Sequence, residues 1–189
     1  NSYGQVPLFL TRANHWFGRS QYSADGFFNG TIASLRFWHG EALDAGQVAQ
    51  LYAEHSGTST PFSKSTPSPT TTLPPTATAA PFTAVRDPDH EFDFRGCDDA
   101  SATADTGVGG TGITATAVNG AACSEEGMVF DGSNDYVDVT PWPFGGEAMT
   151  VEAYVKYESF NYWSRIFDFG DGEYDDAIHF ANWETTQQF

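Results

Sequence analysis

A chain of 189 residues with 40% hydrophobic and 15% aromatic residues can bury a substantial core, which excludes a globally disordered protein. Its formal net charge of -17, from 25 acidic and 8 basic residues, repels phosphate backbones and anionic membranes and argues against a nucleic-acid partner. No stretch approaches the roughly 20 apolar residues that span a bilayer.

The predicted elements fall into two segments either side of a spacer. In residues 1–57, Asn29-Gly30 lies between aromatic and β-branched residues. That pattern predicts a hairpin turn, because type I′ geometry needs φ > 0 twice. Beyond Gly40 the period changes to helical, giving a short helix near 44–55 with Leu43, Val48, Leu51 and Tyr52 on one face. Asp44 is the expected N-cap, Gln47 completes a capping box, and Gly57 is the expected stop. So few strands make a poor independent core, so this segment reads as part of a domain.

Residues 58–85, TSTPFSKSTPSPTTTLPPTATAAPFTAV, have no apolar periodicity and few charges. The composition predicts an extended, semi-rigid linker, either plain or O-glycosylated, with Thr70, Thr71 and Thr72 as the expected acceptors. From 86 to 189 the chain reads as all-β. Strands are expected at Glu91–Arg95, Met128–Phe130, Tyr136–Val139, Met149–Tyr157, Ile166–Phe169 and Ala177–Ala181, with DGSND as a hairpin turn. Short strands at this spacing indicate an antiparallel sandwich. Cys97 and Cys123 exclude CxxC redox and zinc-ribbon patterns. Flanking a Gly/Thr/Ala-rich segment, they are expected to form a disulfide worth roughly 3 kcal/mol, the alternative being two buried thiols. The disulfide reading favours an oxidising compartment.

Four stretches together resemble the laminin-G-like, concanavalin A-like jelly-roll repeats of extracellular proteins, closest to those of algal and other protist surface proteins. They are HEFDFRGC, FDGSNDYVDV, TVEAYVKYESFNYWSRIFDFGDG and LTRANHWFGRSQYSADGFFNGTIASLRFWHGEAL. The last belongs at the end of such a domain, yet here it comes first. The resemblance therefore implies that 1–57 is the C-terminal part of one jelly-roll domain, 58–85 a linker, and 86–189 the N-terminal part of the next. The family's central strands, expected between positions like Phe189 and positions like Asn1, have no counterpart in the chain.

Several side-chain groups are candidate sites. DFGDGEYDD gathers Asp168, Asp171 and Asp175, carboxylates of the type that hold Ca²⁺, without EF-hand spacing. The resemblance supports calcium at a sheet rim; a solvated turn is the competing reading. Asp131, Asp135 and Asp138 of DGSNDYVDV read as turn chemistry rather than a metal loop. Trp142, Tyr162 and Trp163 are expected either to stack on sugars or to pack between repeats. Asn29-Gly30-Thr31 is an N-glycosylation sequon.

Catalysis is not expected. Glu152 and Glu158 sit about 20 Å apart along one strand, too far for a retaining glycosidase pair. No nucleophile elbow, zinc helix or phosphate loop is present, and the five histidines match no ligand spacing. The expected function is a structural repeat of an extracellular fibre or cell-surface coat whose partners are copies of itself. Trp16, Phe27, Phe28, Trp38 and Trp163 are then expected near the contacts between half-domains. The alternatives are a glycan-binding adhesion module, with or without calcium, and an accessory module of a larger secreted enzyme.

Overall fold

The computed structural model describes residues 6–55, 84–97, 102–173 and 175–189. Two compact units divide the chain: Asn1–Ala42 with Asp87–Phe189, and Leu43–Arg86. Among the described residues the larger holds all the strands: β1 (Leu10–Thr11), β2 (Asn14–Phe17), β3 (Asn29–His39), β4 (His90–Asp93), β5 (Ala102–Ala104), β6 (Thr114–Val118), β7 (Ala122–Cys123), β8 (Met128–Asp131), β9 (Tyr136–Val139), β10 (Pro143–Phe144), β11 (Met149–Ser159), β12 (Arg165–Gly170) and β13 (Ile178–Ala181). Among the described residues no helix is long and apolar enough to cross a membrane.

Among the described residues every strand pair is antiparallel. One sheet runs β11-β3-β8-β7 with β4 also on β3; a second runs β13-β12-β2-β9-β6-β5; β1 and β10 form a short ribbon. β3 organises the first sheet. Its residues 29–32 pair with β8, its residues 34–37 pair with β4, and β11 runs along its whole opposite edge. Where β8 and β4 meet, Ala33 forms a bulge against β11, and its carbonyl accepts the Phe94 amide at 2.9 Å. Strands from before and after residues 58–85 therefore share one sheet.

Apolar side chains of both sheets meet in one core, and Phe37 lies at its centre. Its ring is 5.4 Å from Phe169, 5.5 Å from Trp142 and Phe144, and 5.6 Å from Phe167. Such edge-to-face contacts add about 0.5–1.5 kcal/mol each to the burial of the rings. The alternation expected in β11 gives Val151, Ala153 and Val155 packed against this core.

Two expected hairpins are absent. Asn29-Gly30 opens β3 rather than turning the chain, so the turn reading is corrected. The glycine answers a different demand: a Cβ at Gly30 would collide with the Lys156 carbonyl of β11, and its φ is +152°. DGSND likewise joins strands of different sheets, since β8 pairs with β3 and β7 whereas β9 pairs with β2 and β6. Asp135 holds that crossing, accepting the Asp131 amide at 2.9 Å and the Gly120 amide at 2.8 Å. Of the five aromatics expected near contacts between half-domains, Phe28 and Trp38 are buried, and Trp16, Phe27 and Trp163 are half-buried.

The smaller unit contains α1 (Ala45–His55). Asp44 Oδ1 accepts the amides of Gly46 and Gln47 at 2.8 and 2.9 Å, while Gln47 Oε1 accepts the Asp44 amide at 2.9 Å. This is the reciprocal capping box read from the sequence. The helix face is corrected: Gln47 and Leu51 are buried, whereas Val48 and Tyr52 are exposed. Residues 58–83, with Thr70, Thr71 and Thr72, and the expected stop Gly57 lie outside the described residues.

Candidate functional site

Three places bring chemistry-bearing side chains together, all in the larger unit. The first is the acidic loop after β12. Asp168 is fully buried and already coordinated by protein: Oδ1 accepts Gln21 Nε2 at 2.8 Å and Oδ2 accepts the Gln21 amide at 3.2 Å. Arg165 lies 3.6 Å from Asp168 and 2.8 Å from Asp25. Asp171 Oδ1 accepts the Ala13 amide at 2.6 Å. Glu173 accepts the Ser23 amide at 2.7 Å, and that bond holds its carboxyl below the usual range. Asp175 closes the turn through its backbone, donating to Gly172 and accepting from Asp171, both at 3.3 Å. The carboxylates of Asp168, Asp171 and Glu173 thus point at different protein donors. Among the described residues no three of His, Cys, Asp and Glu converge as a metal-ligand set.

A buried arginine locks this loop. Arg12 is fully enclosed; it donates to the Phe144 carbonyl at 2.6 Å, the Leu8 carbonyl at 3.1 Å and the Asp176 carbonyl at 2.6 Å. It also pairs with the Asp176 carboxylate at 3.1 Å. Buried guanidinium persists only when its donors are matched in this way. Arg12 carries no motif signal, which is why sequence reasoning passes over it.

The second place surrounds Trp142, which is 2% exposed. Expected either to stack on sugars or to pack between repeats, it belongs to the core of the larger unit. His15 meets its ring at 4.5 Å and His90 at 4.4 Å, and His15 also stacks on Phe169 at 4.0 Å. Both His15 nitrogens and Trp142 Nε1 are buried without a hydrogen-bond partner. Burial, reinforced by Arg12 and His90, pushes the His15 pKa down to about 3. His90 Nδ1 has its own partner, Asp105 Oδ2, at 2.6 Å. Three histidine and tryptophan rings far apart in sequence are thus brought together, but the apolar walls make this a packing site.

The third place is aromatic and reaches the surface. Tyr162 is 48% exposed and lies 6.4 Å from Trp163, which makes an edge contact with the exposed Trp183 at 4.6 Å. Asn182, fully buried, fixes both loops by donating to the carbonyls of Asn161 and Glu184 and accepting from Ser164. Trp163 and Glu184 take positive φ, +49° and +52°, and the Trp163 amide donates to the Glu184 carbonyl at 2.8 Å. A separate row of rings runs Tyr157, Phe160, Phe189 and Phe180, with neighbouring centroids 4.5, 6.4 and 5.4 Å apart. It leads from β11 in one sheet to β13 in the other.

The remaining expected sites are quickly placed. Asn29 is half-buried and its amide donates to Ser159 Oγ at 2.9 Å, so the sequon lies on a strand rather than a turn. Glu152 pairs with Arg36 at 3.3 Å and Glu158 with Lys156 at 2.6 Å. Cys97 and Cys123 form a disulfide, which ties the segment after β4 to β7. No protein-family model, curated protein or solved structure compared with the chain matches it.

Proposed function

We propose that the chain is a non-catalytic structural repeat of an extracellular fibre or cell-surface coat, built from laminin-G-like jelly-roll sandwiches joined by Pro/Thr-rich spacers. The observation that carries this reading is the position of β3. It comes from before the linker, yet it is the central strand between β11 and the β4/β8 pair from after the linker. A core assembled from segments on both sides of a spacer suits a chain of repeated units in which the back of one repeat packs on the front of the next. The disulfide fits an oxidising compartment. Electron micrographs of the native protein test the proposal: a regular beaded polymer is the expected result, and dispersed particles of one chain each overturn it.

A second reading, a carbohydrate-binding adhesion module, is favoured by Tyr162, Trp163 and Trp183, whose rings are held at the surface by the buried Asn182. Aromatic faces stack on the apolar faces of sugar rings. Glycan-array binding that is lost in Trp183→Ala supports it, and an array without signal removes it.

A further inference from the structure

Arg19 carries a charge that no carboxylate takes up. Arg12, Arg36, Arg95, Lys156 and Arg165 each pair with an acidic side chain. The guanidinium of Arg19 makes no hydrogen bond or ion pair among the described residues, although the chain has 25 acidic residues. Rings hold it instead: its central carbon lies 4.1 Å from the centroid of Trp16 and 4.7 Å from that of Tyr136. Such a cation–π contact uses the charge and leaves the N–H donors free. The platform under it is itself fixed, since Trp16 Nε1 donates to Asp138 Oδ1 at 3.0 Å.

Register gathers these groups on one face. Trp16 sits opposite Asp138 and Asp138 opposite Thr116, with Tyr136 two residues before Asp138 on β9. The residues that alternate with them, Phe17, Val137 and Ala115, belong to the core, so this face is turned away from it. β2, β9 and β6 are interior strands of their sheet. Asp138 is exposed, and Arg19, Trp16, Thr116 and Tyr136 are half-buried. Beside the free guanidinium, Asp138 Oδ2 and the Thr116 hydroxyl also make no hydrogen bond among the described residues. A ligand that fits brings a carboxylate for the Arg19 fork, hydroxyls for Asp138 and Thr116, and C–H surface for the two rings. A sugar acid supplies all three on one small frame. A phosphate monoester fits poorly, because its second charge would face Asp138. The net charge of -17 also disfavours a dense polyanion. We propose that Arg19, Trp16, Tyr136, Asp138 and Thr116 bind a uronic acid residue spaced among neutral sugars. Arg19 donates to its carboxylate, and Asp138 Oδ2 accepts one of its hydroxyls. The inference rests on the carbohydrate-binding reading above and adds to it an acidic sugar, on residues that include none of Tyr162, Trp163 and Trp183.

Two probes isolate the carboxylate: methyl β-D-glucuronide carries it where methyl β-D-glucoside carries a hydroxymethyl group. Each is titrated into the full isotope-labelled chain in about 0.15 M salt, which screens the net charge. Nuclear magnetic resonance follows the indole N–H signals of Trp16 and Trp183 and the Arg19 Nε–H. The glucuronide is expected to shift the Trp16 and Arg19 signals and to bind roughly tenfold more tightly than the glucoside, the scale of one charge-assisted pair. Arg19→Gln is expected to abolish that preference, and Arg19→Lys, which keeps the charge without the fork, to restore part of it. Equal affinity for the two probes, or shifts confined to Trp183, overturns the Arg19 site and leaves the carbohydrate-binding reading standing. Acetate that binds as tightly as the glucuronide also overturns it, since the site then takes any carboxylate, one from a second copy included. Silence of both indoles overturns the site, and a blank glycan array with it overturns the carbohydrate-binding reading as well.

Discussion

His90 Nδ1 lies 2.6 Å from Asp105 Oδ2, with both side chains nearly sealed from solvent. A carboxylate only accepts, so the histidine nitrogen carries the proton, and the bond is a charge-assisted one. Asp105 is also a backbone anchor, its Oδ1 accepting the amides of Glu91 at 2.8 Å and Gly107 at 2.9 Å. The glycines around it are there for space: a Cβ at Gly110 would stand 2.6 Å from the Asp105 carboxylate, and one at Gly107 would stand 2.5 Å from the His90 backbone.

Asp105→Ala therefore leaves three donors without an acceptor in a buried setting. A loss of about 3–5 kcal/mol is expected, the scale for breaking a buried charged network from one side. Asp105→Asn keeps one oxygen but turns an NH2 toward a donor, so it is expected to recover only part of that loss. Urea midpoints of the two variants against the wild type check both statements.

His15 predicts how the protein answers acid. In the folded chain its pKa is about 3, against an ordinary value of 6.5, because it is enclosed between Phe169 and Trp142 with Arg12 and His90 nearby. The unfolded chain therefore binds a proton at a pH where the folded chain does not. Stability from this group is complete above pH 6.5 and declines as pH falls toward 3, by roughly 5 kcal/mol in total. His15→Phe keeps the stacked ring and removes the titration. Its unfolding free energy is expected to fall less steeply between pH 6 and 3, by close to one proton in slope, with no loss at neutral pH. Equal slopes for the two proteins contradict the assignment.

The disulfide spans 26 residues. In the chain-entropy model, closing a loop of that size stabilises the fold by roughly 3.5 kcal/mol. Reduction, or Cys97→Ser with Cys123→Ser, is expected to lower the urea unfolding free energy by about that amount. The loss is expected to appear mainly as faster unfolding of the β7–β8 edge in hydrogen exchange, since Cys123 pairs with Met128 there. Protection that stays unchanged along β8 contradicts this local effect.

What the sequence disclosed, and what it withheld, divides along the range of the interactions. The α1 cap was readable because Asp44 and Gln47 meet three residues apart. The alternation in β11 was readable because one face of that strand packs on the core. Pairing partners were not. Asn29-Gly30 carries a strong hairpin signal, but the need for glycine comes from Lys156, 126 residues away, and no local pattern reports it. Trp142 reads as an aromatic for sugar stacking or for packing between repeats, because no local pattern reports its long-range neighbours. Its burial is decided by Phe37, Phe92 and the two histidines. The Gly/Thr/Ala-rich segment read as poorly packing, whereas its glycines make room for the His90–Asp105 contact.

Gly30 and Gly40 offer a paired test of that last kind of constraint. Both have positive φ, +152° and +71°, so an L-residue is strained at either position. They differ in surroundings. A Cβ at Gly40 meets nothing within 4 Å, whereas a Cβ at Gly30 collides with the Lys156 carbonyl and reaches Tyr157 Cα at 3.0 Å. Gly40→Ala is then expected to cost about 1 kcal/mol, the strain alone. Gly30→Ala adds a backbone collision that only separation of β3 from β11 relieves, and a total of roughly 3 kcal/mol is expected. Because β3 is the strand shared by β4, β8 and β11, the damage should spread. Hydrogen exchange is expected to quicken along β11 in Gly30→Ala and to stay at the wild-type rate there in Gly40→Ala. Equal costs for the two substitutions would show that backbone strain, and not the approach of β11, is what holds glycine at position 30.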